Sequence, residues 1–231
     1  MTIMKTNTMM RVASVLLVAV LLSTCVISGT FAKYVTSEGS TDNARVAKWG
    51  VTITAVNATS NTFFKGEYTT DDSNYSATIT NSVDSSDSKD VIAPGTKGDW
   101  VNVSVTGTPE VAVKIEYTAD LELDGWTCGS PAAFYCPVII IIDNVEYSAK
   151  GTNCTTADAF EEFIEAKIAA HTENYAPNKD LSSDANTLTI SWKWDFESGD
   201  DSADTYYGNL AANDQAPTIS LTVTTTITQV N

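Results

Sequence analysis

The stretch VAVKIEYTADLEL (residues 111–123) decides the fold, because apolar and polar residues alternate along all of it. A period of two held this long is typical of a β-strand with one buried and one solvated face. The predicted buried face is made of Val111, Val113, Ile115, Tyr117, Ala119, Leu121 and Leu123.

Further strands are predicted on both sides of this stretch. VIIII (138–142) lacks alternation, which predicts burial on both faces, and Asp143-Asn144 predicts a hairpin turn after it. Alternation recurs in WGVTITA (49–55), WVNVSV (100–105), TLTISWKWDF (187–196) and PTISLTVTTTITQV (217–230). Polar turn segments separate these strands, so we expect an all-β fold, a two-sheet antiparallel sandwich of jelly-roll-like type.

One segment departs from the strand pattern. TTADAFEEFIEAKIAAH (155–171) has helical spacing of its apolar residues, and Thr155 with Asp158 resembles a capping box. The apolar residues are Phe160, Phe163, Ile164 and Ile168. We therefore predict a single inserted helix over about 156–171, packed against the sheets.

The first 32 residues have the pattern of an export signal. Lys5 and Arg11 are their only charged residues, and a largely apolar run follows. Small residues before the bond between Ala32 and Lys33 predict signal-peptide cleavage there. Two alternatives remain at this point, an uncleaved membrane anchor and a lipoprotein attached at Cys25.

Charge excludes several classes of partner. The full chain has 13 basic and 29 acidic residues, and loss of Lys5 and Arg11 leaves 11 basic residues and a net charge of −18. Such a chain is repelled by nucleic acids and by anionic lipids. We expect a secreted, extracellular or cell-surface protein that touches the membrane only through its signal segment before cleavage.

Candidate metal ligands cluster in DFESGDDSADT (195–205). Its carboxylates suit Ca²⁺, although their spacing does not match an EF-hand, and the alternative is a solvated acidic hairpin loop. The weak calcium candidates are Asp195, Asp200, Asp201 and Asp204. No other cofactor is predicted.

The cysteines and the histidine offer little further chemistry. Cys128 and Cys136 flank a short loop and are candidates for a disulfide, while the alternative leaves them and Cys154 reduced. His171 is the only histidine, so zinc-protease motifs are absent from the sequence, and its place near the predicted helix end favours a dipole-complementing role.

Several aromatic residues could form a sugar-binding platform. They are Trp100, Trp126, Trp192, Trp194, Tyr206 and Tyr207. Trp192 and Trp194 share one face of a predicted strand with Leu188 and Ile190, so core packing explains that pair better.

Three stretches, taken in order, resemble the TasA/camelysin family of secreted bacterial proteins. They are GTFAKYVTSEGSTDNARVAKWGVTI (29–53), IAPGTKGDWVNVSVTGTPEVAVKIEY (92–117) and ISLTVTTTITQVN (219–231). The resemblance implies export through a SipW-type signal peptidase and a jelly-roll subunit of extracellular fibres in a biofilm matrix. The cysteines depart from the familiar fibre-forming members.

The resemblance also implies a mode of assembly, in which an N-terminal strand of one subunit completes the next. Residues 33–45 would then be the extended donor-type segment, and 46–231 the sandwich domain. The residues expected to make the contact are Tyr34, Val35 and Thr36. The expected partners are further copies of the chain in a head-to-tail homopolymer, the signal peptidase and other matrix proteins.

Two rival classes of function remain open. One is a surface adhesin or carbohydrate-binding sandwich, which predicts a row of exposed aromatic side chains. The other is a secreted hydrolase, which lacks any convincing catalytic motif, so we expect no enzyme activity. A fibre subunit predicts buried aromatic residues and an open sheet edge.

Overall fold

A computed structural model describes residues 45–56, 64–70, 78–87, 89–182, 187–197 and 200–231. All of these except Arg45 belong to one compact unit, Val46–Asn231. This unit is an all-β fold of antiparallel sheets with an inserted helix, which confirms the predicted fold class. The predicted signal peptide and donor segment lie outside the described residues, apart from Arg45.

The larger sheet has five strands, and every pairing in it is antiparallel. In spatial order they are β1 (Val51–Val56), β4 (Lys97–Gly107), β11 (Thr187–Trp194), β8 (Val138–Ile142) and β9 (Val145–Tyr147). The predicted turn between β8 and β9 is confirmed, with Asp143 and Asn144 both at positive φ (46° and 65°). Alternate residues of β8 are only half-buried, so burial on both faces is less complete than predicted.

The smaller sheet contains the stretch that decides the fold. Its order is β10 (Glu173–Tyr175), β5 (Val113–Asp124) and β12 (Thr218–Gln229). β12 pairs with β5 over its whole length, and the register runs without a shift. The chain passes repeatedly between the two sheets, as expected for a jelly-roll-like sandwich.

Both sheets contribute to one hydrophobic core, as the alternating pattern predicts. The side chains of β5 predicted to face inwards are buried, except the half-buried Ala119 and Val111, which lies just before the strand. The larger sheet contributes Val103, Val105, Val138, Ile140, Ile142, Leu188, Ile190, Trp192 and Trp194.

The predicted inserted helix is present as α1 (Ala157–Ala169). Its N-cap is Thr156 rather than Thr155, since the Thr156 side chain accepts a hydrogen bond from the Ala159 N–H (3.2 Å). Its buried residues are Phe160, Ile164 and Ile168. These are three of the four apolar positions that indicated the helix.

A second helix, α2 (Asp201–Ala211), was not predicted. It begins inside the stretch expected to be an acidic loop, and Asp200 caps it by accepting from the N–H groups of Ser202 and Ala203. Two small hairpins complete the fold. They are β2 (Glu67–Thr69) with β3 (Asn81–Asp84), and β6 (Thr127–Cys128) with β7 (Ala133–Phe134).

Candidate functional site

The outer side of β12 is the candidate site, because no described strand pairs with it. The backbone N–H groups of Leu121 and Leu123 in β5 donate to α1 and so point away from β12. The backbone groups that bond to β12 therefore belong to the even-numbered residues of β5. In the observed register these pair with even-numbered residues of β12. The outward-pointing N–H and C=O groups therefore belong to Ile219, Leu221, Val223, Thr225, Ile227 and Gln229.

The composition of β12 makes this edge a suitable template for another strand. Thr218–Gln229 contains no charged residue and no proline, and its pairing with β5 has no bulge. Charge, proline and bulges are the usual devices that stop sheet edges from associating. The side chains on the core-facing side are only half-buried, and four of them are apolar: Ile219, Leu221, Val223 and Ile227. A docked strand would cover more of this apolar surface.

On the opposite side of β5, β10 pairs with the first residues of the strand, and α1 covers a later part of it. The Leu123 N–H of β5 donates to Oε1 of Glu161 (2.7 Å), and the Leu121 N–H donates to Oε1 of Glu165 (2.9 Å). The Tyr117 N–H approaches Oγ1 of Thr172 (3.4 Å). Carboxylates of the helix thus take the place of a neighbouring strand along this part of β5.

The open edge lies on the side of the sandwich away from α1. Helix α1 contacts β5 and β8, and its carboxylates lie on the side of β5 opposite to β12. In the larger sheet, β1 is the edge strand farther from β8. Within the described ranges, β1, β9 and β10 are also edge strands of these two sheets, but they have six, three and three residues against the twelve of β12.

The residues expected to process and assemble the chain are not described. Ala32 and Lys33 at the predicted cleavage bond, and Tyr34, Val35 and Thr36 of the predicted donor segment, lie outside the described residues. The acceptor edge was missed by the sequence analysis. No sequence signal identified it, because the absence of charge in residues 218–229 would by itself favour an interior strand over an edge strand.

The calcium candidates are not gathered into a metal site by the residues that the structure describes. Asp200 caps α2, and Asp195 contacts the Lys193 ammonium (3.3 Å). Burial raises the pKa of Asp204, and Asp200 and Asp201 raise it further, while the nearby Trp194 indole N–H opposes the rise. The Trp194 Nε1–H and the Asp204 Oδ1 are both buried, and neither makes a hydrogen bond of ordinary geometry to a described residue.

Most of the aromatic residues proposed for a sugar platform are in the core. Trp126, Trp192, Trp194 and Tyr207 are buried, and Tyr207 packs on Trp126 with ring centroids 5.2 Å apart. Tyr206 is 44% exposed, and the Trp100 side chain lies outside the description. Among the residues proposed for the platform whose side chains are described, Tyr206 alone is exposed, so they form no exposed row.

The three cysteines of the sandwich are free thiols in this structure. Cys128 and Cys136 are therefore not bonded in it, and the predicted disulfide stays a prediction. Burial raises the pKa of the Cys136 thiol to about 12, so this cysteine is a poor nucleophile at neutral pH. Cys128 and Cys154 are half-buried.

His171 lies just beyond the C-terminus of α1, as predicted, and it holds the helix to the larger sheet. Its Nε2 is 2.6 Å from Oδ2 of Asp143, and its Nδ1 is 3.1 Å from the Lys167 carbonyl oxygen. Oδ1 of Asp143 accepts from the Thr189 N–H and hydroxyl. These contacts give the histidine a structural role.

A polar groove of about 530 Å³ lies between β2 and the larger sheet. It is lined by Lys65, Tyr68, Lys97, Trp192 and Lys193, among others. The ammonium of Lys193 contacts Glu146 (2.8 Å) and Asp195 (3.3 Å), so its positive charge is compensated within the groove.

Comparisons with protein-family models, curated proteins and solved structures found no match. The resemblance to the TasA/camelysin family therefore rests on the three quoted stretches alone. Among the described helices, none is long and apolar enough to cross a membrane.

Proposed function

We propose that the protein is a secreted structural subunit of extracellular fibres, in a bacterial biofilm matrix or on the cell surface. Subunits would join when the N-terminal segment of one copy adds as a strand to the outer edge of β12 in the next. The observation that carries this proposal is the long, uncharged edge of β12, with which no described strand pairs. Other matrix proteins would be further partners, and the proposal needs no catalytic residue or cofactor.

The sequence of the N-terminal segment suits a docked strand. KYVTSEGS (33–40) can extend, with Tyr34 and Thr36 on one face and Val35 on the other. About five backbone hydrogen bonds of roughly 1 kcal/mol each would give modest affinity. One apolar side chain in a pocket, such as Tyr34 or Val35, would add about 1.5–3 kcal/mol.

The two surfaces that meet in such a contact are different parts of the chain. A contact between unlike surfaces does not close on itself unless a ring forms, so it can extend into a filament. The predicted signal peptide would hold the donor segment at the membrane until a SipW-type signal peptidase cleaves after Ala32. Export and assembly would then be coupled.

An adhesin or carbohydrate-binding module is the alternative proposal. It predicts exposed aromatic residues, whereas Trp126, Trp192 and Trp194 are buried. The polar groove beside β2 could serve it, but the Lys193 charge is compensated by Glu146. The open β12 edge therefore favours the fibre subunit.

Deletion of residues 33–43 from the mature chain tests the proposal. We expect a folded monomer that forms no fibres by electron microscopy, because the donor strand is gone while the β12 edge remains. A synthetic peptide of residues 33–43 should slow growth of the unaltered protein by capping that edge. A chain with the same eleven residues scrambled controls for length and charge.

Normal polymerisation of the deleted chain would show that the N-terminal segment is not the donor. Polymerisation of the scrambled chain alone would show that segment length, rather than its sequence, is what assembly needs.

A further inference from the structure

The outward-pointing backbone groups of β12 are spaced so that the strand can pair with a second copy of itself. They belong to the odd-numbered residues 219–229. In an antiparallel pairing about a two-fold axis through Thr224, each odd-numbered residue lies opposite another odd-numbered residue. The pairs of this register are Ile219–Gln229, Leu221–Ile227 and Val223–Thr225. Each pair exchanges two backbone hydrogen bonds, so every outward group of residues 219–229 finds a partner.

The side chains of β12 suit the same register. Every even-numbered residue of the strand is exposed and carries a hydroxyl group. Thr222 would lie opposite Thr226, and Thr224 opposite itself, and such cross-strand pairs of threonines stabilise antiparallel sheets. On the core-facing side, Leu221 would meet Ile227, and both are only half-buried in the single chain. The pairing would therefore cover apolar surface as well as backbone.

The distribution of charge permits this contact between two acidic chains. Copies with a net charge of −18 repel one another over most of their surfaces. β12 itself is uncharged, and the nearest carboxylates in sequence register with it are on β5, such as Glu116 and Asp120. In a joined sheet, the β5 strands of the two copies are three strand spacings apart, about 14 Å. This distance exceeds the Debye length of about 8 Å at physiological ionic strength, so their repulsion is largely screened.

We propose that β12 pairs antiparallel with β12 of a second copy, about a two-fold axis through Thr224. The smaller sheets of the two copies then form one continuous sheet of six strands, in the order β10-β5-β12-β12-β5-β10. Helix α1 does not obstruct the contact, because its carboxylates lie on the side of β5 away from β12. The same surface is used by both copies, so the contact closes on itself and stops at a dimer.

The dimer goes beyond the proposed function, although it uses the same edge. It needs no part of the N-terminal segment. A subunit in the dimer has no free β12 edge, so a donor segment must compete with the second copy for it. The dimer would thus hold subunits back from fibre growth and shield an edge that is prone to aggregation.

Disulfide cross-linking of Thr224→Cys in the mature protein tests the pairing. A residue on the two-fold axis faces its own copy in a pair without mutual backbone hydrogen bonds, with Cα atoms about 4.5 Å apart, which suits a disulfide. The matched control is Thr218→Cys, an exposed position on the same face whose two copies would lie about 40 Å apart. Under mild oxidation, before fibres form, Thr224→Cys should cross-link at least about tenfold faster than Thr218→Cys. Both variants keep the three native thiols of the sandwich, which set the background.

A pair of further variants tests the register. Thr222→Cys mixed with Thr226→Cys should give a cross-linked heterodimer, because positions 222 and 226 lie opposite each other. Each variant alone should stay near the background, since its two copies would be four residues, about 14 Å, apart.

Cross-linking of Thr224→Cys no faster than that of Thr218→Cys would overturn the proposal. So would cross-linking of Thr222→Cys alone at the rate of the mixture. Either result would leave strand donation standing, since a donor segment does not require β12 to face a copy of itself. Conversely, normal fibre growth after deletion of residues 33–43 would reject the donor and leave the dimer standing.

Discussion

The two edges of the smaller sheet differ in what covers them. On the β5 edge, two helix carboxylates accept from the Leu121 and Leu123 N–H groups, and Thr172 lies near the Tyr117 N–H. On the β12 edge, six N–H groups point outwards and no described residue accepts from them. One sheet thus has a side covered by other elements and a side with which no described strand pairs.

Core substitutions should reveal this asymmetry most strongly. Ile164→Ala empties a fully buried position of α1 and should lower the free energy of unfolding by about 3 kcal/mol. Leu221→Ala removes a half-buried side chain of β12, so its cost should be about 1 kcal/mol. Urea denaturation of the unassembled proteins measures both.

The same pair of variants separates stability from assembly. Leu221→Ala should slow fibre growth more than its small loss of stability explains, because Leu221 lies next to the docking edge. Equal losses of stability in the two variants would mean that β12 is as well covered as α1.

The two helix caps give a smaller and more selective comparison. Thr156→Ala and Asp200→Ala each remove an N-cap and should each cost about 1 kcal/mol of unfolding free energy. Only Thr156→Ala should also speed amide exchange at Leu121 and Leu123, because those N–H groups donate to carboxylates of α1 and not to α2. If Asp200→Ala speeds exchange there equally, the closure of that edge does not depend on α1.

Much of this fold could be predicted from the sequence, because alternation reports directly which face of a strand is buried. Residues 111–123 and 187–196 indicated their strands and their core faces in this way. Helical spacing located α1 to within about two residues, and only the identity of its cap was wrong.

The helix α2 could not be predicted in the same way. It buries only Ala203 and Tyr207 and contains Gly208, so its hydrophobic pattern is weak. Its stability depends on the Asp200 cap and on Tyr207, whose hydroxyl donates to the Tyr135 carbonyl oxygen (2.6 Å). Three of the four calcium candidates, Asp200, Asp201 and Asp204, lie at the cap or in the first turn of this helix.

The candidate site also could not be predicted from the sequence. Alternation shows which way a side chain points but not which strand lies beside which, so the open side of β12 could not be inferred. The hydrogen bonds from β5 to the carboxylates of α1 could not be predicted for a related reason. Glu161 and Glu165 look like ordinary polar positions of an amphipathic helix until the neighbouring strand is known.

Strand docking on β12 is tested most directly by comparing Thr225→Pro with Thr225→Ala in fibre-growth assays. Proline removes one outward-pointing N–H and leaves the β5 pairing on the other side intact, since residue 225 does not donate to β5. Alanine shortens the same side chain and keeps the N–H. We predict that Thr225→Pro slows elongation about two- to tenfold relative to Thr225→Ala, the loss expected for one backbone hydrogen bond, while both stay folded. Equal elongation rates of the two folded variants would contradict docking at this edge.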